Sequence, residues 1–182
     1  MPTFEQLLQS SQSNLNQASK KSREWFEKQA RLLNKPDVRP MQIIKGVPEH
    51  NRANIVPGEM YLFQYDAKHR DKLPMWDMFP LVFPFKALSD GFIGLNLHYL
   101  SIPMRVKLLD GLMKFKSHTH LTENTRLQFS WQLIQGASQV QMAKQSVHRY
   151  LSSHVESPFK KIDPRHWGTA MMLPVERFVT RQ

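Results

Sequence analysis

Residues 57–100, PGEMYLFQYDAKHRDKLPMWDMFPLVFPFKALSDGFIGLNLHYL, are dense in aromatic side chains and decide the fold. They read as short strands separated by turn signals. From Met60 to Tyr65 the pattern alternates, with Tyr61, Phe63 and Tyr65 on one face and Met60, Leu62 and Gln64 on the other. Leu81 to Phe85 is apolar on both faces. Pro80 and Pro84 withhold two ladder donors there, which predicts an edge strand. Asp90-Gly91 is a turn pair, after which Ile93, Leu95, Leu97 and Tyr99 share a face opposite Gly94, Asn96 and His98. A sheet of about three strands with one apolar face needs a cover, and the flanking segments are helical in character. One core is therefore expected to join Tyr61, Phe63, Ile93, Leu95 and Leu97 to Leu108, Leu112 and Trp131.

The fold class this predicts is α+β. A small antiparallel β core of about three strands, or a partly open barrel, is flanked by N-terminal and C-terminal helices. Three parts follow: a helical N-terminal arm with an extended linker over 1–56, the β core over 57–100, and a C-terminal helical part over 101–182 packed on the core.

Outward from the core, Thr3 to Leu33 contains neither Pro nor Gly, and Thr3 with Gln6 can form a capping box. Phe4, Leu7, Leu8 and Leu15 make a stripe too thin to bury much surface, which predicts an arm that docks on another subunit. Trp25, Phe26, Leu32 and Leu33 form a stronger face. Lys20, Lys21, Arg23, Lys28 and Arg31 are interleaved with it, either as a basic helix for a phosphate backbone or as a solvated face paired locally with Glu24 and Glu27. Pro36, Pro40, Pro48 and Pro57 space an extended connector.

After the core, Met104, Leu108, Leu112 and Phe115 share a helical face, and Leu127, Trp131 and Ile134 mark a second helix that Gly136 weakens or ends. A third helix is predicted from Ser138 to His154, with Val140, Ala143, Val147, Tyr150 and Leu151 inward. Asp163-Pro164 caps and opens a short helix.

At 182 residues the chain has the length of one domain with arms, and 41% hydrophobic content excludes wholesale disorder. Lys plus Arg outnumber Asp plus Glu by 25 to 15, a net +10 that favours polyanions, nucleic acid first among them. The excess lies on the flanks: residues 57–100 carry four basic and five acidic side chains, against nine and five before them and twelve and five after. The absence of cysteine excludes disulfides, thiolate catalysis and Cys-ligated metal centres. The first residues lack a basic, apolar leader pattern and no window approaches a membrane span, so no secretion signal and no membrane partner are expected.

Catalytic templates find no match. The glycines form neither a Walker loop nor a dinucleotide fingerprint, and there is no nucleophile elbow. Asp66-Ala67-Lys68 faintly resembles a metal-nuclease signature but lacks the further carboxylate that would complete a metal site. His118 and His120 sit in a polar turn without a third ligand, and His98 reads as a hydrogen-bonded, partly buried side chain rather than a base. No catalytic residue, metal site or cofactor is assigned. Lys160, Lys161 and Arg165, with His166, form a compact basic cluster at a helix start, suited to phosphate or to an acidic subunit.

Several segments together resemble a virion protein family of large contractile-tailed, T-even-type bacteriophages. They are SREWF at Ser22 to Phe26, PGEMYLFQYDAK from Pro57, LPMWDMFPLV at Leu73 to Val82, DGFIGLNLHYL at Asp90 to Leu100 and IDPRHWGTAMMLPVERF at Ile162 to Phe178. Members are labelled virion structural proteins and sometimes DNA end protectors. The resemblance implies a non-enzymatic structural component, assembled in the host cytoplasm and carried in the virion as a symmetric homo-oligomer. Its place would be at the tail, baseplate or head–tail neck, among other phage structural proteins. The alternative it implies is a DNA-binding protein that protects genome ends during head completion, its DNA contact being non-specific. The arm reading predicts that the first ~18 residues order only against another subunit. Amide exchange on the isolated protein checks this, and strong protection of residues 3–15 in a monomer contradicts it.

Overall fold

The computed structural model describes residues 6, 15–33, 55–56, 58–73, 76–117, 120 and 122–171. Phe4, Leu7 and Leu8 of the expected arm, and residues 34–54 of the connector, lie outside these, as does the side chain of Leu15. The elements are α1 (Leu15–Leu33), β1 (Met60–Leu62), β2 (Leu81–Leu88), β3 (Gly91–Asn96), α2 (Ile102–Ser117), α3 (Glu123–Gln139), β4 (Val147–Leu151), β5 (Lys160–Ile162) and α4 (Trp167–Met171), with short 3-10 turns between several of them.

The five strands form one open antiparallel sheet in the order β4-β3-β2-β1-β5. The architecture is α+β with helices on both sides in sequence. The sheet, however, has two strands more than the expected three, and it is open rather than a barrel. Both additions come from the C-terminal part. The helix expected over 138–154 does not form: the second helix, α3, runs on through Gly136 to Gln139, a 3-10 turn follows over Gln141–Ser146, and Val147–Leu151 is strand β4, pairing Tyr150 with Phe92 and His148 with Gly94. The free edge of β3 supplies a ladder for a segment rich in β-branched and aromatic residues. The spacing of its apolar residues fits a helix and a strand alike. Val140, placed inward by the helical reading, is 47% exposed.

β2 is the central strand and not an edge. Its prolines are tolerated because Pro80 precedes the ladder and Pro84 stands where the register slips, from Pro84 opposite Gly94 to Lys86 opposite Ile93. Phe85 is the extra residue of that bulge, so the missing donor falls where pairing is already broken.

A second correction concerns the core. The alternation of Met60–Tyr65 is as expected, but both faces are buried. Met60, Leu62, Leu81, Phe83, Leu95 and Leu97 pack under the helices with Leu108, Leu109, Leu112, Ile134 and Trp167. On the other face Phe63, Tyr65, Val82, Phe92 and Tyr150 form a separate cluster, closed by Val155 and Phe159. Phe63 lies at its centre, its ring 4.8 Å from Phe159, 5.3 Å from Tyr150 and 5.9 Å from Phe92. Tyr61 faces the same way, edge-on to Phe159. The sheet thus divides Tyr61 and Phe63 from Leu95, Leu97, Leu108 and Leu112, while Ile93 is half-buried and the Trp131 side chain lies outside the described residues.

Glu59 fastens the sheet to the helices. Gly58, at φ +85°, makes the turn into β1. The Glu59 carboxylate that follows accepts from Lys116 Nζ of α2 at 2.7 Å and lies 3.2 Å from Lys161 Nζ of β5. Gly111 lets α2 and α3 approach closely, since a Cβ there would stand 2.6 Å from a Leu133 methyl.

Leu95→Ala on one face and Phe63→Ala on the other should each lower stability by roughly 2–5 kcal/mol. Denaturant unfolding of the two variants measures this, and a change under about 1 kcal/mol in either would mean that its face carries no packed core.

Candidate nucleic-acid interface

The basic residues singled out toward the two ends of the chain lie on segments that pack together. α1 turns Ser22, Trp25 and Gln29 inward at helical spacing and leaves Lys20, Lys21, Arg23, Lys28 and Arg31 exposed. Ser22 Oγ donates to the Thr169 carbonyl of α4 at 2.7 Å. The Trp25 ring lies 6.0 Å from His166. β5 and the turn before α4 carry Lys160, Lys161 and Arg165, and Trp25 of α1 packs against that turn at His166, so the two basic segments are joined in one flank.

Their charges are not equally available. Arg165 is tied back to Asp163, Nε at 3.1 Å and Nη2 at 3.0 Å, and Asp163 Oδ1 also caps the turn by accepting from Arg165 N at 2.9 Å. The hydrogen bond from the Arg165 side chain holds the Asp163 carboxyl down at about 2, so this pair persists as an ion pair across the neutral range. Lys161 is shared with Glu59, and Arg31 with Glu27 at 3.4 Å. Lys160 is half-buried at the end of β5 and its pKa is lowered by that burial. Lys20, Lys21 and Lys28 of α1 are exposed.

A buried polar network on the opposite side of the molecule was only partly legible. His98 is hydrogen-bonded, as expected, and at 3% exposure it is more deeply buried than expected. Its partner is Asp77, whose Oδ2 lies 2.7 Å from His98 Nδ1 and accepts from Asn96 Nδ2 at 2.8 Å, while Oδ1 accepts from Phe79 N at 3.1 Å. Asn96 Nδ2 also reaches Tyr150 Oη at 3.2 Å, and Asn96 Oδ1 accepts from His98 N. Asn96 and His98, polar residues among apolar neighbours, were the signal for such a network, although the expected strand ends at Asn96 and His98 lies in the 3-10 turn Leu97–Tyr99. The partner in the loop had no such signal. Arg105, fully buried in the first turn of α2, donates to the carbonyls of Leu100 and His98, and burial lowers its pKa to about 10.

Asp66 of the nuclease-like triplet is bound to Arg70 at 2.9 Å. Among the described residues no group of three His, Asp or Glu side chains could hold a metal ion; His118 lies outside them and His120 is exposed. No helix among the described residues is long and apolar enough to cross a membrane.

Fold and flank together define a small basic α+β protein whose two basic segments pack together through Ser22 and Trp25. Residues 2–182 match the family described as phage T4 terminal DNA protecting protein, and the chain belongs to that family. No curated protein and no solved structure matches it.

Replacing Asp77 by Ala leaves Asn96 Nδ2, His98 Nδ1 and Phe79 N without their acceptor. At about 1–3 kcal/mol for each buried group left unpaired, the loss should exceed ~3 kcal/mol in denaturant unfolding, and a near-neutral variant would show that the network is incidental.

Proposed function

We propose that this protein is a non-enzymatic DNA-binding protein that covers the ends of a phage genome. The family's description favours genome ends over a place in the tail, baseplate or neck. The observation that carries the DNA contact is the packing of α1 on α4 and the turn before it, through Ser22 and Trp25, which joins the helix bearing Lys20, Lys21 and Lys28 to the segment bearing Lys160 and Lys161. A duplex presents a dense row of phosphates, and lysine clusters of this kind bind it by releasing counterions, without reading bases. The flank presents lysine ammoniums rather than unpaired guanidinium forks, which fits grip without sequence preference.

Duplex binding by the full chain should weaken with salt, log affinity falling by about 0.9 per phosphate contact for each decade of salt. Lys160→Ala should flatten that slope by about 0.9 and weaken all sequences alike. Lys161→Ala should flatten it less, since Glu59 already holds that ammonium. Asp163→Asn, which removes a carboxylate and releases Arg165, should steepen the slope and tighten binding. Fluorescence anisotropy over a salt series measures all three. No salt-dependent binding at low ionic strength would remove the basis of the proposal.

A further inference from the structure

The aromatic face of the sheet opens, beside β4, into a cavity of about 470 Å³. That is inside the range of roughly 300–1,000 Å³ occupied by small-ligand sites. Its walls include Trp76, Tyr99 and His148, with the Tyr99 and His148 rings 4.8 Å apart. Lys68 and Arg149 line it as well, together with the acidic side chains Asp77 and Asp90. The composition is that of a site for a planar, partly polar group carrying negative charge.

The acids do not oppose this. Asp77 already accepts from Phe79, Asn96 and His98, so its charge is covered by three donors. Asp90 binds Arg149 at 2.6 Å, but both side chains are about half exposed, at 49% and 57%, and such a pair exchanges readily for another anion. Lys68 is exposed and makes no ion pair among the described residues. One group is left over: His148 Nε2 is buried without a hydrogen-bond partner among the described residues. Burial lowers the imidazole pKa, which favours the neutral ring. Burial also pushes the Tyr99 hydroxyl up to about 12, which keeps it a neutral donor.

We propose that this cavity takes one unpaired terminal nucleotide of a DNA strand, its base against Trp76, Tyr99 and His148 and its phosphate at Lys68 and Arg149. Aromatic side chains stack on any base. A base stacked inside a duplex has both faces covered, so a cavity that takes a base between aromatic side chains distinguishes an end from the body of the DNA. The inference rests on the reading that DNA is the partner.

The test uses the full chain and three DNAs of equal length: a dumbbell closed by hairpins at both ends, a hairpin with a blunt end, and a hairpin with a one-nucleotide overhang of 2-aminopurine. The overhang DNA should bind about tenfold tighter than the dumbbell, with 2-aminopurine fluorescence quenched on binding. Trp76→Ala should abolish both the preference and the quenching while leaving dumbbell affinity and its salt slope unchanged. Lys68→Ala, at an exposed position, should weaken overhang binding alone, which keeps the test open if Trp76→Ala fails to fold. Dumbbell and overhang bound equally, without quenching by the unmodified protein, would overturn the cavity proposal and leave the basic flank standing. No binding to any of the three at low salt would overturn both.

Discussion

The Asp77 carboxylate is the constraint on which the rest of the aromatic side depends. It lies in the long loop between β1 and β2, and it accepts from Asn96 at the end of β3, from His98 in the turn beyond it and from Phe79 in its own loop. A buried carboxylate is costly unless its lone pairs are filled, and here the filling groups come from two separate segments. Through Asn96 the network continues to the Tyr150 hydroxyl on β4. The loop cannot move without unpairing the strand residues, so Trp76, one residue before Asp77, is held at the mouth of the cavity by the chemistry that orders the sheet.

The sheet then explains why its own residues sort as they do. Phe63 and Leu95 both look like inward positions of a half-buried strand, and periodicity does place each on a definite face of its own strand. It cannot say whether the faces of two strands coincide, because that depends on register, and register shifts at the Pro84–Lys86 bulge. With both faces apolar, the alternation meant to separate core from solvent separates two cores instead. Legible from sequence were α2 with Leu108 and Leu112 inward, the β2–β3 hairpin, and the Asp163-Pro164 cap with its short helix. β4 was not, because Val147, Tyr150 and Leu151 fit a helical face as well as a strand, and only the vacant edge of β3 decides between them. β5 was hidden for a similar reason, since Lys160-Lys161-Ile162 is too short to show a period.

The basic flank was legible as residues but not as charge. Lys160, Lys161 and Arg165 read as equivalent cations in the sequence. In the structure Arg165 is folded back on Asp163, while Lys161 shares Glu59 with Lys116. These pairs have structural work: the first caps the turn into α4, the second ties β5 and α2 to the start of β1. Net charge counts all three alike, and the polyanion feels mainly those left over. On α1, whose basic face the sequence left open between a phosphate contact and a solvated surface, Lys20, Lys21 and Lys28 are exposed.

The flank and the cavity do not form one surface. β5, which carries Lys160 and Lys161, and β4, which carries His148 and Arg149, are opposite edges of the sheet. Four strand spacings of about 4.8 Å separate such edges, ~19 Å in all. On a duplex rising 3.4 Å per base pair along each strand, that distance is about six base pairs. A terminal nucleotide seated beside β4 would thus leave the flank level with the duplex a short way inward, where only phosphates are presented. Attachment and end recognition would then be divided between two parts of the molecule. The flank would hold DNA anywhere along its length. Only the cavity would respond to the strand having stopped.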